Sequence, residues 1–206
     1  MRVLVACEFS GVVRDAFRAR GHDAWSLDLL PGRGKGDLFH YRCDITTRPC
    51  AWFEQFDLMI AHPPCDRLLV AGALHWKKWR KSGEQQRGID FFMWLWSLPT
   101  KRKCLENPVG IMSTVFREPD QYIEPWQFGH METKKTGLWL DKLPLLKPTN
   151  DVYQEMMRLP PKERNRVHYE SPGVKNGLTR SQRRAIFFPG WADAMAEQWG
   201  AASPNA

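Results

Sequence analysis

The stretch Arg2-Val-Leu-Val-Ala-Cys-Glu-Phe-Ser-Gly11 decides the fold. Its start is a short apolar run, which is typical of a strand buried on both faces. Apolar residues then recur at helical spacing from Val12 to Phe17, and Gly21 ends that pattern. The order of strand, tight loop and helix opens a βαβ unit, in which Ser10 is the expected N-cap of the helix.

The same alternation continues along the chain. Further strands are predicted at 23–30, 57–61 and 103–106, a strand end or a loop at 43–45, and helices at 51–56 and 84–98. Strands that alternate with helices indicate an α/β fold with a mostly parallel, Rossmann-like sheet.

The alternation weakens after residue 109, where only 125–129 and 136–140 resemble strands. Pro189-Gly190 opens a final helix at 191–199. We therefore predict a catalytic core at 1–110 and a loop-rich, substrate-contacting extension at 111–188. The helix and tail at 189–206 are expected to pack on the core.

Composition restricts the class of protein. The chain has 206 residues, of which 43% are hydrophobic and 26% charged, so a folded single domain with a small lobe is expected and a disordered chain is excluded. The net charge of +7 favours an anionic partner such as nucleic acid. Ten tryptophans indicate that some indole rings lie at binding surfaces.

The sequence predicts a cytoplasmic protein without a membrane partner. No run of about 18 apolar residues is present, and the opening apolar run breaks at Glu8, too early for a signal peptide. The five cysteines include no Cys-x-x-Cys pair, and His130 and His168 have no ligand partners at suitable spacing. Neither disulfides nor a metal site is predicted.

Polar residues follow each predicted strand, at the edge where ligands bind in open α/β sheets. A glycine loop after the first strand and an acidic residue, Asp28, closing the second are suited to a nucleoside-containing cofactor. Gly11 is the only glycine in that loop, so the Gly-x-Gly-x-x-Gly fingerprint is absent, which argues against NAD. A plain strand-to-helix turn remains the alternative.

Cys65 and Glu106 are the sharper candidates. Cys65 follows two prolines that stop helical continuation, so its thiol is expected on a stiff loop at the sheet edge. Glu106 ends a neighbouring apolar strand, where a lone carboxylate is costly unless it serves a partner. A nucleophile and an acid are therefore predicted together. The alternatives are an inert buried cysteine and a capping or salt-bridging glutamate.

A basic, tryptophan-containing segment follows Cys65. Its residues are His75, Trp76, Lys77, Lys78, Trp79, Arg80 and Lys81. Cations interleaved with flat rings are suited to phosphates and bases, so we predict a nucleic-acid contact. A solvated helix edge is the alternative.

Taken together, these motifs resemble the catalytic domain of the DNA cytosine-5 methyltransferases, in the short form found in phages and prophages. The resemblance covers roughly residues 2 to 110, with a looser match at 189–199. It implies that Cys65 is the nucleophile, that Glu106 and Asn107 form the acid motif, and that a cytosine is flipped out of DNA to reach them.

The resemblance also implies S-adenosylmethionine as cofactor, with Asp28 on its ribose and Asp44 near its adenine. The residues it assigns to the cofactor are Glu8, Phe9, Ser10, Gly11, Asp28, Leu29, Asp44, Ile45 and Pro63.

Three departures from the family pattern affect substrate choice. Pro108 replaces the valine after Glu-Asn, and the Gln-x-Arg-x-Arg strand has only a partial match at Gln182-Arg183-Arg184. A separate target recognition domain is missing. Either a partner protein supplies recognition, or the substrate is a free pyrimidine nucleotide, or the chain is a non-catalytic DNA-binding protein. His62-Pro-Pro-Cys65 also resembles the amino methyltransferase motif, but its first and last residues are wrong for that chemistry.

Overall fold

A seven-stranded β-sheet forms the centre of the molecule. The computed structural model describes residues 1–33 and 37–201. Its strands are β1 (Arg2–Ala6), β2 (Asp23–Asp28), β3 (His40–Arg42), β4 (Leu58–Ala61), β5 (Lys103–Pro108), β6 (Gln121–Ile123) and β7 (Thr136–Asp141).

The strand order is β3-β2-β1-β4-β5-β7-β6. The strands β1 to β5 pair in parallel, whereas β7 is antiparallel to both β5 and β6. This order with β7 reversed is that of the S-adenosylmethionine-dependent methyltransferase fold, so the predicted α/β class is confirmed. The order reverses direction between β1 and β4, which is where ligands bind in such sheets.

Nine α-helices lie in the described part of the chain, and most of them are short. They are α1 (Val12–Ala19), α2 (Trp76–Lys81), α3 (Glu84–Ser97), α4 (Met112–Val115), α5 (Tyr153–Met157), α6 (Pro161–Arg164), α7 (Arg166–Tyr169), α8 (Arg180–Ala185) and α9 (Pro189–Gly200). Short 3₁₀ helices also occur, among them Cys50–Gln55 and Pro125–Gln127.

Alternate residues of the strands supply two cores, one on each face of the sheet. On one face, Val3 and Val5 pack with α1 and α9, including the fully buried Trp199. On the other face, Leu4 and Ala6 belong to the core that contains the buried residues of α3. The apolar run of β1 is explained by burial on both faces.

The extension contributes two strands to the sheet, one of them at a different position from the one that its sequence predicts. The segment predicted as a strand at 125–129 begins as a 3₁₀ turn over Pro125–Gln127, because Pro125 opens it and a capping box between Glu124 and Gln127 caps its N-terminal end. The short strand β6 precedes that turn, and β7 covers the other predicted strand. Two strands from 111–188 thus complete the sheet beside β5.

Candidate active site at the carboxyl ends of the strands

The loop after β1 is held by the buried carboxylate of Glu8. This carboxylate accepts hydrogen bonds from the backbone N–H of Val13 at 2.7 Å and of Arg14 at 3.3 Å, at the start of α1. Burial raises the pKa of Glu8. The prediction that Ser10 caps α1 is wrong: Gly11 occupies the N-cap with φ 75°, and the Ser10 hydroxyl donates to Glu8 at 3.2 Å. The Glu8 side chain therefore organises the loop from within.

Gly11 is required by close packing as well as by its backbone. A Cβ atom at this position would lie 2.8 Å from the carbonyl oxygen of Arg33. The backbone of Gly11 is also left-handed, a conformation that is unfavourable for residues with a side chain. The backbone N–H of Arg33 in turn donates to the carbonyl of Phe9 at 2.9 Å. The segment after β2 consequently lies against the first loop, and the side chain of Phe9 is buried beneath it.

The ends of β2 and β3 carry two carboxylates that face one place. Asp28 is half-buried, its Oδ1 accepts from the Leu30 N–H at 2.9 Å, and burial raises its pKa. Asp44 is exposed, and hydrogen bonds from Thr46 lower its pKa. Burial raises the pKa of the thiol of Cys7, and both carboxylates raise it further, so both lie near that residue.

These residues fit the adenosine half of S-adenosylmethionine. Carboxylates accept hydrogen bonds from ribose hydroxyls and from an adenine amino group. Leu29, between the two acidic positions in the chain, is 68% exposed and offers an apolar contact for a ring, whereas Ile45 is buried. The exposed apolar side chain beside Asp28 is the observation that favours a nucleoside.

The Cys65 loop is fastened to the loop that follows β5. Pro63 is buried, and its carbonyl oxygen accepts a hydrogen bond from Nδ2 of Asn107 at 3.0 Å. Further on, the Leu68 carbonyl accepts from the Ile111 N–H at 2.8 Å. A Cβ at Gly110 would lie 2.4 Å from that same carbonyl oxygen, so only glycine allows this approach.

The thiol of Cys65 is protonated at neutral pH. Burial and the neighbouring carboxylate of Glu106 raise its pKa to about 11, while Lys134 and Arg184 act in the opposite direction. Cys65, Glu106, Lys134 and Arg184 therefore lie close enough to affect one another's charge.

Glu106 and Asn107 are buried at the end of β5. Nδ1 of His62 lies 3.1 Å from Oε2 of Glu106. Burial acts to raise the pKa of Glu106, but the hydrogen bond from His62 and the charge of Lys134 outweigh it and hold the pKa below its ordinary value. Among the described residues, Glu106 Oε1 and Asn107 Oδ1 have no hydrogen-bond partner although both atoms are buried.

Two cations lie at this edge: Lys134, which the sequence analysis did not identify, and Arg184, which it named only within the partial match at 182–184. Lys134 lies two residues before the start of β7, and its Nζ donates to the carbonyl of Arg184 at 3.3 Å. The three residues of the partial motif at 182–184 have different roles. Gln182 caps α8, and Arg183 donates to Glu170 at 3.0 Å. Of the three, Arg184 is the residue that lowers the pKa of Cys65. The only sequence signal for Lys134 is a basic pair before an apolar strand.

The basic segment after Cys65 is a helical turn, α2, whose lysines are exposed. Its two tryptophans are half-buried and contact neighbouring residues. Trp79 lies against Gly72, where a Cβ would approach it to 2.9 Å, and under the guanidinium of Arg67. Trp76 is half-buried beside Arg80. The apolar side chain that does face solvent here is Leu74, which is 95% exposed.

Residues 1–33 and 37–201 hold no group of three or more His, Cys, Asp or Glu side chains suited to a metal ion. Within the same residues, no helix is long and apolar enough to cross a membrane.

Solved structures include chains that are similar to this one. A solved structure from Escherichia coli, described as a proposed DNA modification methyltransferase encoded within a prophage, aligns over 73% of this chain and 51% of its own. The sequence identity is 16% and the TM-score 0.46. No family profile matches the sequence, and no curated protein is similar to it. Inferences about function therefore depend on the residues at the sheet edge.

Proposed function

We propose that this chain is an S-adenosylmethionine-dependent methyltransferase that modifies carbon 5 of cytosine in DNA through a covalent adduct of Cys65. The observation that carries the proposal is the meeting of Cys65 with Glu106 and Asn107 at the ends of two adjacent parallel strands. Unpartnered buried oxygens on Glu106 and Asn107 indicate that this edge is built for a polar ligand.

This arrangement suits the chemistry of a pyrimidine ring. Carbon 5 of cytosine is a poor nucleophile, and attack of sulfur on carbon 6 turns the ring into an enamine that can take a methyl group. The Cys65 thiol must lose its proton as the bond from sulfur to carbon 6 forms. Glu106 is ionised, so it can accept that proton and pass it to ring nitrogen 3.

The other residues of the site have supporting roles. Lys134 and Arg184 lower the pKa of the Cys65 thiol and thus favour the nucleophilic form. Bound S-adenosylmethionine supplies the electrophilic methyl group, and Asp28, Leu29 and Asp44 hold its adenosine half. After transfer, the carbon 5 proton leaves to solvent as the bond from sulfur to carbon 6 breaks. The proton on ring nitrogen 3 returns through Glu106 to the sulfur of Cys65, which restores the aromatic ring and the thiol.

Charge supports DNA as the partner. The exposed lysines of α2 follow the Cys65 loop, and the chain carries a net charge of +7. A target base inside a duplex is out of reach of a side chain, so it has to be flipped into the site.

The test is methyl transfer and covalent trapping. The protein is incubated with labelled S-adenosylmethionine and, separately, with duplex DNA, single-stranded DNA and dCMP. DNA containing 5-fluorocytosine is then used as a trap, because fluorine cannot leave in the elimination step. We expect label on DNA and a covalent adduct with the wild type.

Cys65→Ser should form no adduct, since a hydroxyl is far less nucleophilic than a thiol, while Cys50→Ser, at an exposed position, serves as the matched control. An undiminished adduct in Cys65→Ser would overturn the assignment. Label on dCMP alone would favour the nucleotide enzyme, and DNA binding without transfer to any substrate would favour a non-catalytic protein.

A further inference from the structure

His62 is the first residue after β4, and it links three strand ends. Its backbone N–H donates to the carbonyl of Ala6 in β1 at 3.0 Å. Its ring is 12% exposed and lies against the ring of Phe187, with centroids 4.7 Å apart. Its Nδ1 reaches Oε2 of Glu106 at the end of β5. The ring is thus packed in place between the first loop and the acid.

The bond to Glu106 fixes the tautomer of His62. An ionised carboxylate can only accept hydrogen bonds, so Nδ1 carries the proton in this contact. Both Nε2 of His62 and Oε1 of Glu106 are buried and have no hydrogen-bond partner within the described residues. An unsatisfied buried polar atom is destabilising, so two on one bonded pair, beside Asn107 Oδ1, indicate that a ligand completes the site.

We propose that His62 is a positioning residue for Glu106: by donating from Nδ1 to Oε2, it locks the carboxylate so that Oε1 is the oxygen that exchanges a proton with the substrate. This inference rests on the proposed function. The Nδ1 proton stays on the imidazole throughout, because the transferred proton moves between Cys65, Oε1 and ring nitrogen 3.

Other charged groups face this pair. Glu8 and Asp28 lie close enough to His62 to interact with it electrostatically, and Lys134, just before β7, lowers the pKa of Glu106. None of these three residues bonds to Oε2 of Glu106. Among the described residues, His62 is therefore the one that orients the Glu106 carboxylate.

The experiment compares His62→Leu, which removes the donor, with His62→Asn, which keeps an N–H near the position of Nδ1. His22→Leu is the matched control, because His22 packs on Phe17 and near Gly200, away from the site. Two quantities are measured. One is the kcat and KM for methylation, and the other is the pKa of Glu106 by carbon-13 titration of labelled glutamates, assigned with Glu106→Gln.

With His62→Leu we expect kcat to fall about 10- to 100-fold, in the range of a single general acid–base interaction, with KM for DNA nearly unchanged. The pKa of Glu106 should rise, because a bond that stabilises its ionised form is gone. His62→Asn should restore most of both values.

An unchanged pKa of Glu106 in His62→Leu, or equal impairment of the Leu and Asn variants, would overturn the proposal, since the latter outcome means that His62 only fills space. The titration does not require turnover. If the wild type methylated no substrate, the proposed function would fail while the titration still decided the role of His62.

Discussion

Burial controls the reactivity of the individual residues at the strand ends. Cys65 and Asp28 both have raised pKa values, chiefly because their charged forms lose water on burial. For Asp28 this leaves a carboxylate that binds a hydrogen-bond donor strongly, and for Cys65 a thiol that depends on its neighbours to become a nucleophile.

The rate at which iodoacetamide alkylates Cys65 should rise with pH up to about 11, its pKa. Below that pH the thiol dominates, so each unit of increase raises the thiolate fraction about tenfold. Lys134→Ala removes a cation that lowers this pKa and should slow the reaction at a given pH. The measurement is peptide mass spectrometry, with exposed Cys50 as internal reference; alkylation of Cys65 as fast as that of Cys50 at pH 7.5 would contradict it.

Asp28→Ala should weaken binding of S-adenosylmethionine by about 1.5–3 kcal/mol, the usual cost of losing a hydrogen bond to a charged group. Turnover at saturating cofactor should largely recover. Calorimetry provides the affinity, and Asp90→Ala on α3, an exposed carboxylate, is the matched control. Unchanged affinity in Asp28→Ala would mean that the cofactor binds elsewhere.

Some of these residues can be predicted from the sequence and others cannot, for a physical reason. Cys65 and Glu106 can be found because prolines and apolar strands flank them in the chain. His62 and Lys134 gain their significance only from Glu106, which lies 44 residues from His62 along the chain and contacts it through pairing of β4 with β5. Contacts of that separation leave no local pattern.

At the scale of single elements, α2 has one packed face and one exposed basic face. Trp76 and Trp79 pack inward and Arg80 donates to Gln85 at 3.0 Å, whereas Lys77 and Lys78 are exposed. The sequence pattern indicated the basic face, but it did not show that the indole rings are already covered by Arg67, Gly72 and Arg80.

Replacing Lys77 and Lys78 with Ala should weaken DNA binding and flatten its salt dependence. Each lost phosphate contact reduces the slope of log K against log salt by about 0.9 for duplex DNA. The slope is measured by fluorescence anisotropy over a range of salt. Replacement of Lys101 and Lys147, exposed at the opposite edge of the sheet, is the matched control. Equal slopes for the two double variants would make α2 an ordinary solvated face.

The strands show where local patterns fail. The run that forms β1 is readable because both faces are buried, and β4 and β5 are readable for the same reason. The short strand β6 has three residues and only one fully buried side chain, so its sequence shows no alternation of buried and exposed residues. β7 lies between β5 and β6 and runs antiparallel to both. No residue within β7 encodes that position or direction.

For the whole molecule, α9 joins the end of the chain to its beginning. It packs on α1, and Nε1 of its fully buried Trp199 donates to the carbonyl of Pro144 at 3.0 Å. The C-terminal helix therefore stabilises the face of the sheet opposite α3.

Trp199→Ala should reduce the free energy of unfolding by about 3–5 kcal/mol, because it leaves a large cavity in a dense core. Urea denaturation measures the loss, and Glu197→Ala, at an exposed position on the same helix, should change it little. A small effect of Trp199→Ala would show that α9 is dispensable for the fold.

The place of β7 has a consequence for the synthesis of the chain. β7 covers the edge of β5, yet it is made after both β5 and β6. Until the ribosome has released residue 141, β5 offers an open row of backbone N–H and C=O groups to any other extended chain. Folding then competes with aggregation on the polysome, and nascent chains truncated before Thr136 should be the ones that chaperones retain.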